Sequence, residues 1–144
     1  MSKRNSYVFV LWGQDFDEVA ATIFVTEFRK AGIRVKVVAL TPRRLSGEHG
    51  LALGTDMTLE QALRVANKAI CVVLPGASSR IAQLANDPRL GEFFSRARSN
   101  RARFIVGQID NRDMAELMGG PDVTVYPFRD DLLEFAGDVA EELG

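Results

Sequence analysis

The chain reads as an α/β protein, a three-layer α/β/α sandwich around a mostly parallel sheet. Two observations lead there. Short runs rich in Val, Ile and aromatic residues, apolar on both faces, alternate with longer segments whose apolar residues recur at helical spacing. That rhythm runs through the chain with no linker, repeat or low-complexity tract, which is the pattern of strands joined by crossover helices.

Each element has its own local reason. Tyr7-Val8-Phe9-Val10-Leu11-Trp12 suits a buried parallel strand. From Phe16 to Ala31 the apolar residues fall at 16, 19, 20, 23, 24, 28 and 31, and Gly32 closes this helix as its C′ residue. Ile33 to Leu40 is a second strand, broken by Thr41-Pro42. Arg43 to Gly54 holds three glycines and the single histidine, and reads as a turn or short hairpin. Thr58 caps a helix running to about Asn67, with Gln61 three residues on to complete a capping box. Ala69 to Leu74 is a third buried strand, ended by Pro75-Gly76. A short helix is expected from Ser78, and Asp87-Pro88 opens a clearer one. Phe104 to Gly107 and Val123 to Tyr126 are the fourth and fifth strands. The last helix, from about Arg129, carries Leu132, Phe135, Ala136, Val139 and Leu143 on one face, with Asp130 and Asp131 at its positive end.

A length of 144 residues fits one domain, residues 1–144, large enough to close a core without staples. A formal net charge of −1 gives no overall field for nucleic acid. One cysteine excludes an intramolecular disulfide, one histidine argues against a His-rich metal site, and no cofactor is expected. The first apolar run is too short for a signal core or a membrane span, so the expected location is the cytoplasm.

In such folds ligands sit beyond the carboxyl ends of the strands, where the strand order reverses. A flavodoxin-like order would gather three loops there: Trp12-Gly13-Gln14-Asp15, Pro75-Gly76-Ala77-Ser78 and Gln108-Ile109-Asp110-Asn111. Dinucleotide and P-loop glycine patterns and the Gly-x-Ser-x-Gly elbow are absent from the chain. A phospho-accepting aspartate is absent from the end of the third strand, Leu74-Pro75-Gly76.

Val8 to Gly32, Ser46-Gly47-Glu48-His49-Gly50 and Val72-Val73-Leu74-Pro75-Gly76 resemble the ThiJ/PfpI family, the Parkinson-disease protein 7 group related to class I glutamine amidotransferase domains. The likeness covers most of residues 7 to 110 and is strongest at Asp15-Phe16-Asp17-Glu18 and Phe28 to Val35. Beyond residue 110 the chain reads as shorter than members of that family. The resemblance implies a cysteine on a sharp strand-to-helix turn, a glutamate from the first helix that hydrogen-bonds it, and amides after the Pro-Gly turn as an oxyanion hole. Such parts fit together physically, since a thiolate is favoured at a helix N-terminus and amide donors stabilise developing negative charge. Carried onto this chain, the glutamate position falls on Ala20, the cysteine position on Ile109, and the oxyanion-hole glycine on Gly76, with Ala77 following. Neither alanine nor isoleucine can transfer a proton or attack a carbon.

Other residues are weighed as replacements. Cys71 lies inside the third strand and reads as a small buried hydrophobe. Asp110 is a candidate nucleophile or base, against its use as a helix cap before Asn111-Arg112-Asp113. His49 is a candidate base, against a structural role in a glycine-rich turn. Trp12 either stacks on a flat ligand or plugs the pocket. Asp15, Asp17 and Glu18 either form an acidic pocket rim, with Ser78 and Gln108 beside it, or favour the helix start by charge alone. Arg96, Arg98, Arg101 and Arg103 form a basic cluster that stabilises a helix C-terminus or stays solvated, against a phosphate-bearing partner or the acidic last helix of a neighbouring subunit.

The function expected from these residues is that of a catalytically degenerate member with a binding, regulatory or assembly role, forming a homo-oligomer, a dimer first, and taking a small ligand or a protein partner. The alternative is a hydrolase or lyase that uses Asp110 with the Gly76 and Ala77 amides.

Overall fold

A computed structural model of the chain describes residues 5–77, 87–108 and 123–144. In these residues, parallel strands form a six-stranded sheet in the order β3-β2-β1-β4-β5-β6. The strands are β1 (Tyr7–Trp12), β2 (Val35–Ala39), β3 (Met57–Thr58), β4 (Ala69–Ala77), β5 (Arg103–Gln108) and β6 (Val123–Val125). Setting aside the two-residue edge strand β3, this is the flavodoxin-like order, and the chain reverses direction across the sheet between β1 and β4. Register across that centre pairs Val8 with Val35 on one side and with Cys71 on the other.

Helices cover both faces. On one, α1 (Glu18–Lys30) packs on α4 (Arg129–Leu143), and the Phe24 ring lies 5.6 Å from Phe28, 5.6 Å from Tyr126 and 6.2 Å from Phe135. On the other, α2 (Leu59–Leu63), a 3₁₀ turn at Ala66–Lys68 and α3 (Pro88–Ser99) pack together. There Phe93 meets Phe9 edge-on at 5.4 Å and Phe94 meets Phe104 at 5.9 Å. Each buried ring or aliphatic side chain contributes roughly 1.5–3 kcal/mol of transfer free energy, so β1, β4 and β5 form the stable centre of the molecule.

Several boundaries differ from the sequence reading for identifiable reasons. Helix α1 begins at Glu18 rather than Phe16, because Asp17 takes the N-cap and its carboxylate accepts the Ala20 N–H at 3.1 Å. Phe16 is left in the preceding loop as a buried wedge. Strand β4 does not end at Pro75-Gly76 but runs on to Ala77, with a register irregularity after Leu74 where proline has no N–H to give the ladder. Arg43 to Gly54 forms no strand pairing, and the edge strand Met57–Thr58 was not expected. The Thr58–Gln61 capping box is present, yet α2 stops at Leu63 and the 3₁₀ turn follows. Asp87 caps α3 with Pro88 in its first turn, as expected. The helix expected from Ser78 lies outside the described residues. Among the described residues no helix is long and apolar enough to cross a membrane.

Candidate functional site

The topological switch point brings the β1–α1 loop against the Pro75-Gly76 segment of β4. The loop is tied on both sides. Asp15 N–H donates to the Ser46 carbonyl at 2.9 Å, Glu48 N–H to the Phe16 carbonyl at 2.9 Å, and Asp17 N–H to the Pro75 carbonyl at 2.8 Å. Asp15 holds φ of +64°, a left-handed conformation that aspartate tolerates better than most residues.

Asp17 sits at the meeting point. One carboxylate oxygen caps α1, and the other accepts the Tyr126 hydroxyl at 2.9 Å. Tyr126 follows β6, donates its own backbone N–H to Val106 at 2.9 Å, and is nearly buried. Burial, then the Asp17 charge, then the hydrogen bond to Asp17 push the phenol well above its ordinary value of 10.0, while the nearby Gly76 backbone acts more weakly in the opposite sense. The phenol therefore stays protonated and donates to Asp17, with its oxygen lying beside the Gly76 backbone. Two glycines permit this approach. Gly76 holds φ of +152°, open to glycine and strained for other residues. At Gly107 a Cβ would overlap the Gly76 carbonyl and come within 2.6 Å of the Tyr126 hydroxyl.

Glu18, one residue on, points elsewhere. It is only 6% exposed, accepts the Leu51 N–H at 2.9 Å, and lies 3.8 Å from Nδ1 of the half-exposed His49. A Cβ on Gly47 would overlap its carboxylate, so glycine is required there. The Ser46–Leu51 loop is thus folded around a buried carboxylate, closed by Gly47 N–H to Leu51 carbonyl at 2.8 Å.

These positions revise part of the sequence reading. Asp15, Asp17 and Glu18 do not form an acidic rim together: Asp17 caps and pairs with Tyr126, and Glu18 turns into the 46–51 loop. Charge at the helix start explains their choice only in part, because each carboxylate has a specific partner. Trp12 is wholly buried, edge-on to Phe16 at 6.4 Å, so it fills space and offers no face to a flat ligand. Its indole N–H has no hydrogen-bond acceptor among the described residues. His49 pairs with Glu18 rather than with a nucleophile. Ala20 is fully buried in α1. Cys71 is the buried hydrophobe expected, and burial pushes its thiol from 9.0 up to about 12 despite the opposing charge of Arg103. Arg103 pairs with Glu142 of the same chain, so this part of the basic cluster does not wait for a neighbouring subunit. Arg96 likewise holds Glu92 and the Leu63 carbonyl. Ser78, Ile109 and Asp110 lie outside the described residues, as do the side chains of Ala77 and Gln108. Among the described residues no three His, Cys, Asp or Glu side chains come together to hold a metal.

Tyr126 is the residue that sequence reasoning missed. A tyrosine closing a strand signals a buried ring whose hydroxyl needs a partner, but its partner is 109 residues away and no local pattern joins them.

The family model described as DJ-1/PfpI matches residues 6–107. The chain belongs to the DJ-1/PfpI family. No curated protein sequence matches it. Among solved structures, DJ-1beta of Drosophila melanogaster superposes with a TM-score of 0.76 at 17% identity, over 96% of this chain and 90% of that one. A putative protease I from Bacteroides thetaiotaomicron gives 0.75 at 14% identity, over 96% and 99%. A ThiJ/PfpI domain protein from Brachyspira murdochii gives 0.71 at 16%, over 99% and 98%. Identities this low establish a shared DJ-1/PfpI fold and leave the chemistry to the residues present.

Proposed function

We propose that this DJ-1/PfpI chain is catalytically degenerate and serves a binding, regulatory or assembly role. The observation that carries the reading is the Tyr126 hydroxyl, which donates to Asp17 and packs beside the Gly76 backbone. An oxyanion hole works by pointing amide donors at space where charge develops. Here the space beside the Gly76 backbone is taken by a nearly buried phenol that is anchored on a carboxylate. Ala20 at the glutamate position and Ile109 at the cysteine position support the same conclusion from the sequence. Self-association into a homodimer is supported by apolar surface near β6 and the start of α4, where Phe128 is 93% exposed and Val125 and Leu133 are about half exposed.

The experiment is an assay of the purified chain against aldehyde, peptide, amide and ester substrates across a broad pH range, with its mass in solution measured alongside. No turnover above background and a dimeric mass are expected. Turnover that Asp110→Ala abolishes would replace this reading with a hydrolase or lyase, and a strictly monomeric mass would remove the assembly role.

A further inference from the structure

At the opposite end of the sheet, where β1 and β2 begin, an open cleft of about 350 Å³ lies between Tyr7, Arg29, Ile33, Arg34, Val35 and Lys36. Its shape follows from the strands. Arg34 and Lys36 flank the buried Val35, and the two-residue period of extended chain sends both side chains to one face. The Arg34 carbonyl accepts the Val8 N–H at 2.9 Å, which fixes this stretch beside β1 and sets the Arg34 guanidinium 5.9 Å from the centre of the Tyr7 ring. Arg29 comes from the last turn of α1. It is held by Asp56 at 3.0 Å and by the Val35 carbonyl at 3.1 Å.

The charges here are unbalanced. Among the described residues three cations line the cleft and no carboxylate does, although the whole chain carries a formal charge of −1. Asp56 answers Arg29 from outside the lining, while neither Arg34 nor Lys36 makes an ion pair among the described residues. Arg34 lying over an aromatic ring, Lys36 without an ion pair among the described residues, Arg29 held in place and a wall that includes Ile33 describe a recognition surface.

We propose that this cleft binds a small phosphate-bearing anion that carries a flat or apolar group. A guanidinium fork matches phosphate oxygens two at a time, and an ammonium adds a compact charge beside it. The cleft is at the small end of ligand pockets, which run from about 300 Å³ upward. Because Asp56 and Val35 already order Arg29, part of the entropy lost on binding is lost beforehand. The site is remote from Gly76 and independent of whether the family chemistry survives there.

The test is a titration of the ¹⁵N-labelled full chain with phenyl phosphate and with inorganic phosphate, followed through its backbone amides. Saturable shifts at Tyr7 and Ile33 to Lys36 are expected, with phenyl phosphate the tighter of the two. The double variant Arg34→Ala, Lys36→Ala should bind about tenfold or more weakly while melting as the parent does. Unsaturable shifts, an unchanged curve in the double variant, or shifts concentrated at Arg96 to Arg103 would each overturn the proposal. So would a short DNA duplex that binds through the same residues more tightly than phenyl phosphate, since it would assign the face to nucleic acid.

Discussion

The two ends of the central strands solve opposite problems with similar polar residues. At the carboxyl end, where the topology opens a crevice for ligands, the polar groups are spent on one another: Asp17 on the helix cap and Tyr126, Glu18 on the Leu51 amide and His49. At the amino end, Arg34 over Tyr7 and Lys36 line an open cleft, and neither makes an ion pair among the described residues. The difference teaches that a fold's usual ligand site and a chain's own unsatisfied charge need not coincide. Position in the topology says where a site is easy to build, and the pairing of polar groups says where one is still open.

The sharpest way to break this contrast is at the glycines that let the carboxyl end close. Gly107→Ala would drive a Cβ into the Gly76 carbonyl, a backbone atom with nowhere to go, and against the Tyr126 hydroxyl. A loss of about 2–3 kcal/mol in unfolding free energy is expected, read from the denaturant midpoint. Gly137→Ala, inside α4 with open space around it, is the matched control and should gain about 0.5–1 kcal/mol from helix propensity. Equal effects at the two positions would show that the Gly76–Tyr126 approach is not tight.

Tyr126→Phe removes the hydroxyl and leaves the ring against Phe24. The Asp17 carboxylate loses a partner, for an expected cost of about 1–2 kcal/mol near neutral pH. The alkaline branch carries a second signature. The phenol is held above its ordinary 10.0 in the folded chain, and the Cys71 thiol is held at about 12 against 9.0. Both groups keep their protons when folded at a pH where the unfolded chain releases them. Their contribution is therefore fully present below pH 9 and is lost as pH rises through 9 and 10 toward the folded values. Stability of the parent should fall steadily over that window, and Tyr126→Phe should flatten the upper part of the fall while leaving the part due to Cys71. An identical pH profile in parent and variant would mean that Tyr126 is not buried on Asp17.

The layout of the sheet was legible in the sequence because its signals are local. Apolar runs such as Tyr7 to Trp12, the Thr58–Gln61 capping box and the Asp87-Pro88 helix start each act over a few residues, and each is found where expected. The candidate site was legible only in its backbone half. Gly76 could be named from the Pro-Gly turn, but the tyrosine packed beside it arrives just after β6, and the loop wrapped around Glu18 has no periodicity to announce it. Asp17 and Glu18 look equivalent in the sequence. The structure separates them because Asp17, as N-cap, faces the sheet end, while Glu18 begins the helix and turns toward Leu51. Edge strand β3 escaped for a similar reason: two residues beside β2 carry no pattern of their own.

The smallest expected effect sharpens the other half of the comparison. If the cations at the amino end serve a ligand rather than the fold, removing them should leave folding almost untouched. Arg34 is exposed and lies only over the Tyr7 ring, an exposed cation–aromatic contact worth about 0.5–1 kcal/mol at most, and Lys36 forms no ion pair among the described residues. Lys36→Ala alone should therefore change the unfolding free energy by less than about 0.5 kcal/mol in either direction. Arg29→Ala should cost more, because it releases both Asp56 and the Val35 carbonyl, although an exposed pair of this kind holds the gain to about 1 kcal/mol. Denaturant midpoints of the two single variants measured side by side decide the point. A Lys36→Ala loss as large as that of Arg29→Ala would make the ammonium part of the fold's own packing, and its freedom to meet an anion would go with it.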